Sequence, residues 1–134
     1  MGKNEGFRVE ITSDYDEFWR YNIMLTCGCF DESDNRIGFV SAEDIVAPVG
    51  SKLKCKPKDY PQKRVAGFGT MPCDHLFMYL YVIPHTAPVG RVMDDHESYT
   101  LNVRIAYNGR LVKHIQHSAN MWSGATLEVK VFNK

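Results

Sequence analysis

The stretch CDHLFMYLYVIPHTAPVG, residues 73–90, decides how this chain is read. In an extended chain successive side chains point to opposite faces. Leu76, Met78, Leu80 and Val82 therefore form one row, and His75, Phe77, Tyr79, Tyr81 and Ile83 the other. The apolar run from Leu76 to Ile83 has the length of a buried strand, far short of the roughly 20 residues a membrane-spanning helix needs. The first row reads as a core face. The second is aromatic with polar tips and needs a cover of its own, and what supplies that cover is the functional question.

Four other segments alternate with period two, the mark of antiparallel strands with one face on a core and one in water. Phe7, Val9 and Ile11 alternate with Arg8, Glu10 and Thr12. Trp19, Tyr21, Ile23, Leu25, Cys27 and Cys29 share one parity against Arg20, Asn22, Met24, Thr26 and Gly28. Leu101, Val103, Ile105 and Tyr107 alternate with Asn102, Arg104 and Ala106, and Leu127, Val129 and Val131 with Glu128, Lys130 and Phe132. Shorter strands are expected at 36–40, 44–47, 51–56 and 65–69, each bounded by Gly, Pro, Asn or Asp. No segment carries a sustained 3.6-residue apolar stripe.

The stretch RIAYNGRLVKHI, residues 104–115, reads as a hairpin. A two-residue Asn108-Gly109 turn would set Ile105 against Val112 and Val103 against His114, mixing the faces. A three-residue Tyr107-Asn108-Gly109 loop with a bulge at Gly109 sets Ile105 against Leu111, Val103 against Lys113 and Leu101 against Ile115, and is the expected register. Eight to nine short strands with regular turns predict an all-β fold, an antiparallel β-sandwich with a small β-barrel as the alternative. The chain reads as one domain, residues 1–134, with no repeat or linker.

Composition narrows function. The chain has 134 residues, 44% of them hydrophobic, enough for a core without disulfide or metal staples. Lys plus Arg and Asp plus Glu balance at 16 each, so no global field draws nucleic acid or an anionic membrane. The N-terminus lacks an apolar signal region, and Gly6 stands where a myristoylation pattern needs Ser or Thr. A soluble cytoplasmic protein without membrane insertion is expected. The four cysteines, Cys27, Cys29, Cys55 and Cys73, read as reduced thiols.

Several constellations have two readings. Cys27 and Cys29 with Cys73 and His75 would make a tetrahedral zinc set if two strands met, but the parity of Cys27 and Cys29 points them into the core, so no metal is expected. Lys52, Lys54, Lys56 and Lys58 fall on one side of an extended segment that runs into Pro57 and Pro61. Such a row protects a sheet edge from pairing with another chain, a better fit than nucleic-acid binding. Acidic clusters at Asp14, Asp16 and Glu17, at Asp31, Glu32 and Asp34, and at Asp94, Asp95 and Glu97 suit solvated turns or a calcium site. With strands alternating in direction, the second and third would share an end. No nucleophile elbow, phosphate loop or zinc-protease motif is present, and His75, His85, His96, His114 and His117 form no visible catalytic set, so no enzyme and no cofactor are expected.

The aromatic row remains. It is covered by the chain's own segments 57–72 or 84–97, by another protein, or by a sugar ring. Met121 and Trp122 lie in a second apolar loop among Ser, Asn and Gly. The sequence therefore predicts a non-enzymatic binding or assembly module that meets a protein partner, or a further copy in a homo-oligomer, through Phe77, Tyr79, Tyr81 and Trp122. The alternative is a calcium-dependent or carbohydrate-binding β-sandwich.

Overall fold

The computed structural model describes residues 5–46, 65–86 and 98–134. Its strands are β1 (Phe7–Ser13), β2 (Tyr21–Phe30), β3 (Arg36–Asp44), β4 (Ala66–Gly69), β5 (His75–Pro84), β6 (Ser98–Tyr107), β7 (Arg110–Asn120) and β8 (Ala125–Phe132). They form two four-stranded antiparallel sheets, in the orders β4-β1-β6-β7 and β3-β2-β5-β8. Neither sheet closes on itself, so the fold is a β-sandwich and not the small barrel. Among the described strands, the β2–β3 and β6–β7 hairpins stay within a sheet and the other successive strands lie in different sheets. Among the described residues, no helix is long and apolar enough to cross a membrane.

The alternation read in the sequence becomes the two inner faces. Phe7, Val9 and Ile11 of β1 meet Leu101, Val103 and Ile105 of β6 across one sheet. Ile23, Leu25, Cys27 and Cys29 of β2 lie beside Val82, Leu80, Met78 and Leu76 of β5 in the other. All are buried, and they share one core with Leu127, Val129 and Val131 of β8.

Two expectations change, and a third is not described. The segment 36–40 extends to Asp44 as one strand, β3, paired along β2 from Ile23↔Asp44 to Phe30↔Arg36, and Ile45 and Val46 lie beyond its end. The segment 51–56 and its lysine row lie outside the described residues. The β6–β7 hairpin takes neither simple register. Its loop is the two-residue Asn108-Gly109 turn, with Tyr107 paired to Arg110 and Ala106 to Leu111. Both turn residues have positive φ, 49° and 84°, as a mirror-image hairpin turn requires. The register then shifts between Ile105 and Ala106, leaving Val112 as an extra residue, so that Ile105 meets Lys113, Val103 meets Ile115 and Leu101 meets His117. The faces are matched by a bulge inside the strand instead of a third loop residue, and Val112 and Ile115 reach the core.

The largest departure is Arg20. Counted by parity it belongs to the outer face of β2, yet it is fully buried. Phe18–Arg20 forms a 3₁₀ turn before β2, which rotates the side chain under the end of the sandwich. There its guanidinium donates to the carbonyl of Thr86 at 2.9 Å and to the hydroxyls of Tyr15 and Tyr21, each at 3.0 Å. Glu17 Oε1 lies 2.8 Å from its Nε. The Tyr21 ring sits under the cation at 4.9 Å. His85 completes the plug with Nε2 2.8 Å from the Trp19 carbonyl oxygen and Nδ1 2.7 Å from the Thr86 hydroxyl. Burial works against the Arg20 charge, but Tyr21, Tyr15 and Glu17 together hold its pKa above the ordinary value. Arg20→Ala would leave buried acceptors and Glu17 without their donor, and is expected to cost about 3–5 kcal/mol in urea unfolding at neutral pH; a loss below about 1 kcal/mol would show that the plug is not structural.

Candidate functional site

The outer face of the β3-β2-β5-β8 sheet is where the aromatic row of β5 points. Its strand registers define cross-strand rows. Phe39 of β3 and Phe77 of β5 flank Gly28 of β2, and Lys130 of β8 follows Phe77. In the next row Ser41, Thr26, Tyr79 and Glu128 stand side by side, and in the one after it Glu43, Met24, Tyr81 and Thr126. A hollow of about 210 Å³ opens beside Gly28, walled by Phe30, Phe39, Phe77 and Tyr79, with Thr26 and Arg36 also in its lining. A Cβ at position 28 would come 2.8 Å from the Phe30 ring, so the absence of a side chain there is what lets that ring lie over the strand. Phe77 and Tyr79 contact edge to face at 5.4 Å. Phe39 is 60% exposed and Tyr79 38%, so this part of the face is open.

His75, the first residue of the row, points the same way but is buried. Its ring stacks on Phe30 at 5.3 Å and tilts against Phe132 at 5.0 Å. Its two nitrogens each meet a carboxylate, Asp74 at 2.8 Å and Asp34 at 2.9 Å. This closes the lower end of the face, and the open aromatic row begins at Phe77. The fold thus brings Phe77, Tyr79 and Tyr81 together on one surface and places Trp122 elsewhere, in the turn between β7 and β8. There Met121 is buried under the sandwich end and Trp122 is half-buried, its backbone N–H donating to Asn120 Oδ1 at 2.8 Å. Gly124 closes this turn with positive φ, packed so tightly on the Val82 carbonyl that a side chain would collide with it.

Sequence reading missed Gly28, Phe30 and Phe39 as parts of this surface. Their parity was legible, but their meeting with Phe77 depends on strand neighbours and register, which no local pattern encodes.

No family model and no curated protein matches the chain. Among solved structures, a domain of unknown function, DUF4425, from Bacteroides vulgatus ATCC 8482 has a TM-score of 0.47 at 8% identity, covering 96% of each chain. A DUF4425 family protein from Bacteroides ovatus ATCC 8483 has a TM-score of 0.40 at 10% identity, with 94% of this chain and 92% of that chain covered.

The two acidic clusters within the described residues do not gather. Asp31 caps the β2–β3 turn, its carboxylate accepting from the backbone N–H groups of Ser33 and Asn35, each at 2.9 Å. The Asn35 backbone contact is the main cause holding its pKa below the ordinary carboxylate value. Asp14, Asp16 and Glu17 follow β1 at the opposite end of the sandwich. Residues 94–97 lie outside the described residues. Among the described residues, no group of three or more His, Cys, Asp or Glu side chains is placed to hold a metal ion.

Cys27, Cys29 and Cys73 are unpaired and buried. Cys27 and Cys29 point into the core, as their parity required. Burial, reinforced by Cys29, pushes the thiols of Cys27 and Cys73 up to about 12. At neutral pH they are thiols, whereas a nucleophile or zinc ligand must be a thiolate. Folded pKa values above the unfolded value mean that the folded state keeps protons the unfolded chain loses, so this contribution to stability is full below about pH 9 and falls as pH rises toward about 12. Urea unfolding followed from pH 7 to pH 11 is expected to show that decline, with a shallower slope in Cys27→Ala. An unchanged slope in the variant would mean that Cys27 ionises in the folded state as it does in the unfolded chain.

Proposed function

We propose that the chain is a non-enzymatic protein-binding module whose contact surface is the outer face of the β3-β2-β5-β8 sheet, centred on the hollow walled by Phe30, Phe39, Phe77 and Tyr79. The supporting observation is that hollow itself, an aromatic-walled depression on a flat sheet face. An apolar cavity of about 150 Å³ holds a benzene ring, so this one has room for a partner's aromatic or aliphatic anchor. Protein interfaces concentrate their affinity in such anchors and the pockets that receive them. The open parts of Phe39 and Tyr79 leave on the order of 200 Å² for a partner to bury, worth about 5 kcal/mol before the cost of association. The rim supplies Arg36, Lys130, Glu128 and Glu43, charges of both signs that favour orientation over raw affinity. Three unpaired buried thiols are consistent with a reducing compartment such as the cytoplasm.

Selection of a displayed random-peptide library on the whole chain tests this reading. Peptides carrying an aromatic or large aliphatic anchor are expected to be enriched, and to lose binding at least tenfold in Tyr79→Lys. A lysine there faces Glu128 across the strand pair, so the variant's stability should stay within about 1 kcal/mol of the parent. Enrichment of peptides that bind parent and Tyr79→Lys equally would place the contact surface elsewhere.

A further inference from the structure

The outer face of the first sheet carries a cavity of about 530 Å³, at the end where β1 begins and β6 turns into β7. Its shape follows from one cross-strand row, in which Arg8 of β1, Ala106 of β6 and Leu111 of β7 stand side by side. Ala106 is the small residue of the three, so it makes a floor between the Arg8 stem and Leu111, which stand two strand spacings apart, about 10 Å. The Arg8 guanidinium leans away from that floor, over β4, where its Nη2 takes the place of a side chain on Gly67. The lean widens the trough. One end is closed by the chain as it enters β1. There the backbone N–H groups of Glu5 and Gly6 donate to Asn108 Oδ1 at 2.7 and 3.1 Å, and the Asn108 N–H donates to the Gly6 carbonyl at 3.1 Å. Arg104, two residues along β6 from Ala106, stands at the other end.

The two arginines are not equivalent. Arg8 has a carboxylate beside it, with its Nε 3.8 Å from Glu10 Oε1. Arg104 lies opposite Glu10 in the register, yet it makes no hydrogen bond or ion pair with that residue or with any other of the described residues. Leu111 is 47% exposed and presents an apolar wall to the trough. The cavity therefore combines an apolar floor and side with a cation at one end that no protein group neutralises.

We propose that this cavity is a ligand site for a singly charged carboxylate on an apolar body, with the carboxylate on Arg104 and the body over Ala106 against Leu111. It lies on the opposite sheet from the aromatic face and does not rest on the protein-contact reading of that face. Its volume is within the roughly 300–1,000 Å³ of small-ligand sites. A carboxylate matches the planar guanidinium fork with two parallel N–H···O bonds. A phosphate dianion or a dicarboxylate fits worse, because Glu5 and Glu10 also line the cavity and repel a second negative charge. The walls are set before a ligand arrives: the ladder of β1, β6 and β7 fixes the floor, and the bonds from Asn108 fix the closed end. Little ordering is left for binding to impose. Free organic acids and peptide C-termini both carry such a carboxylate.

Titration of the whole chain with benzoate, followed by backbone amide NMR, tests the site. Shifts centred on Ala106, Gly109 and Leu111 are expected at millimolar benzoate, and the isosteric, uncharged benzamide should bind at least tenfold more weakly. Arg104→Gln should weaken benzoate binding at least tenfold with an unchanged melting temperature, because the side chain it shortens is exposed and unpaired. Arg36→Gln, which removes the same charge from the opposite sheet, should change the affinity less than twofold. A short peptide ending in phenylalanine separates the two sources of the carboxylate. Binding tighter than that of benzoate, lost on C-terminal amidation, would make the ligand a chain terminus, and weaker binding would make it a free acid. The proposal would be overturned by the absence of shifts at millimolar benzoate, by shifts centred on Phe39 and Tyr79, by equal binding of benzoate and benzamide, or by equal losses in Arg104→Gln and Arg36→Gln.

Discussion

The pairing of β2 with β5, from Tyr21↔Pro84 to Phe30↔His75, is the constraint on which both sides of the second sheet depend. One side of that pair carries Ile23, Leu25, Cys27 and Cys29 beside Val82, Leu80, Met78 and Leu76, all buried. The other carries the aromatic row beside Gly28, Thr26 and Met24. Because side chains alternate strictly, slipping the register by one residue would turn the core outward and the aromatics inward together. The apolar core therefore holds the outer surface in place, and with it the rows that carry Phe39, Phe77 and Tyr79.

The two ends of the sandwich are closed by different chemistry. At one end Arg20 is buried whole, surrounded by tyrosine hydroxyls, main-chain carbonyls and Glu17. A buried cation is tolerated there because its donors are distributed over fixed acceptors supplied by several segments, and this ties the 3₁₀ turn, the end of β5 and the β7–β8 turn to one group. At the other end His75 lies between Phe30 and Phe132 and against two aspartates. Both plugs put polar side chains where strands end and main-chain groups would otherwise be buried without partners. The aromatic face lies between them, with its rigidity supplied from both ends.

The same molecule separates its chemically reactive side chains from its open surface. The described cysteines sit in the core, with the thiols of Cys27 and Cys73 kept protonated, and two of the described histidines, His75 and His85, are buried in structural contacts. What the open face offers is aromatic area, a depression, and a rim of mixed charge. These are the materials of recognition.

Alternation alone determined the all-β class and the inward rows of β1, β2, β5, β6 and β8, because the side-chain period of two is a property of each strand by itself. It also placed Cys27 and Cys29 in the core and Phe77, Tyr79 and Tyr81 on a common outer face. The tertiary structure decided what sits next to what. The extension of 36–40 to Asp44 as β3, and with it the place of Phe39, follows from pairing along β2. The bulge at Val112 follows from a contest between an Asn-Gly turn that prefers two residues and core faces that must match. Arg20 escaped its parity because a 3₁₀ turn precedes the strand, and its burial is stable only where Tyr15, Tyr21, Thr86 and Glu17 converge. Each of these outcomes depends on residues far apart in the chain, and free energies set by such contacts leave no local signature for a pattern of neighbours to carry.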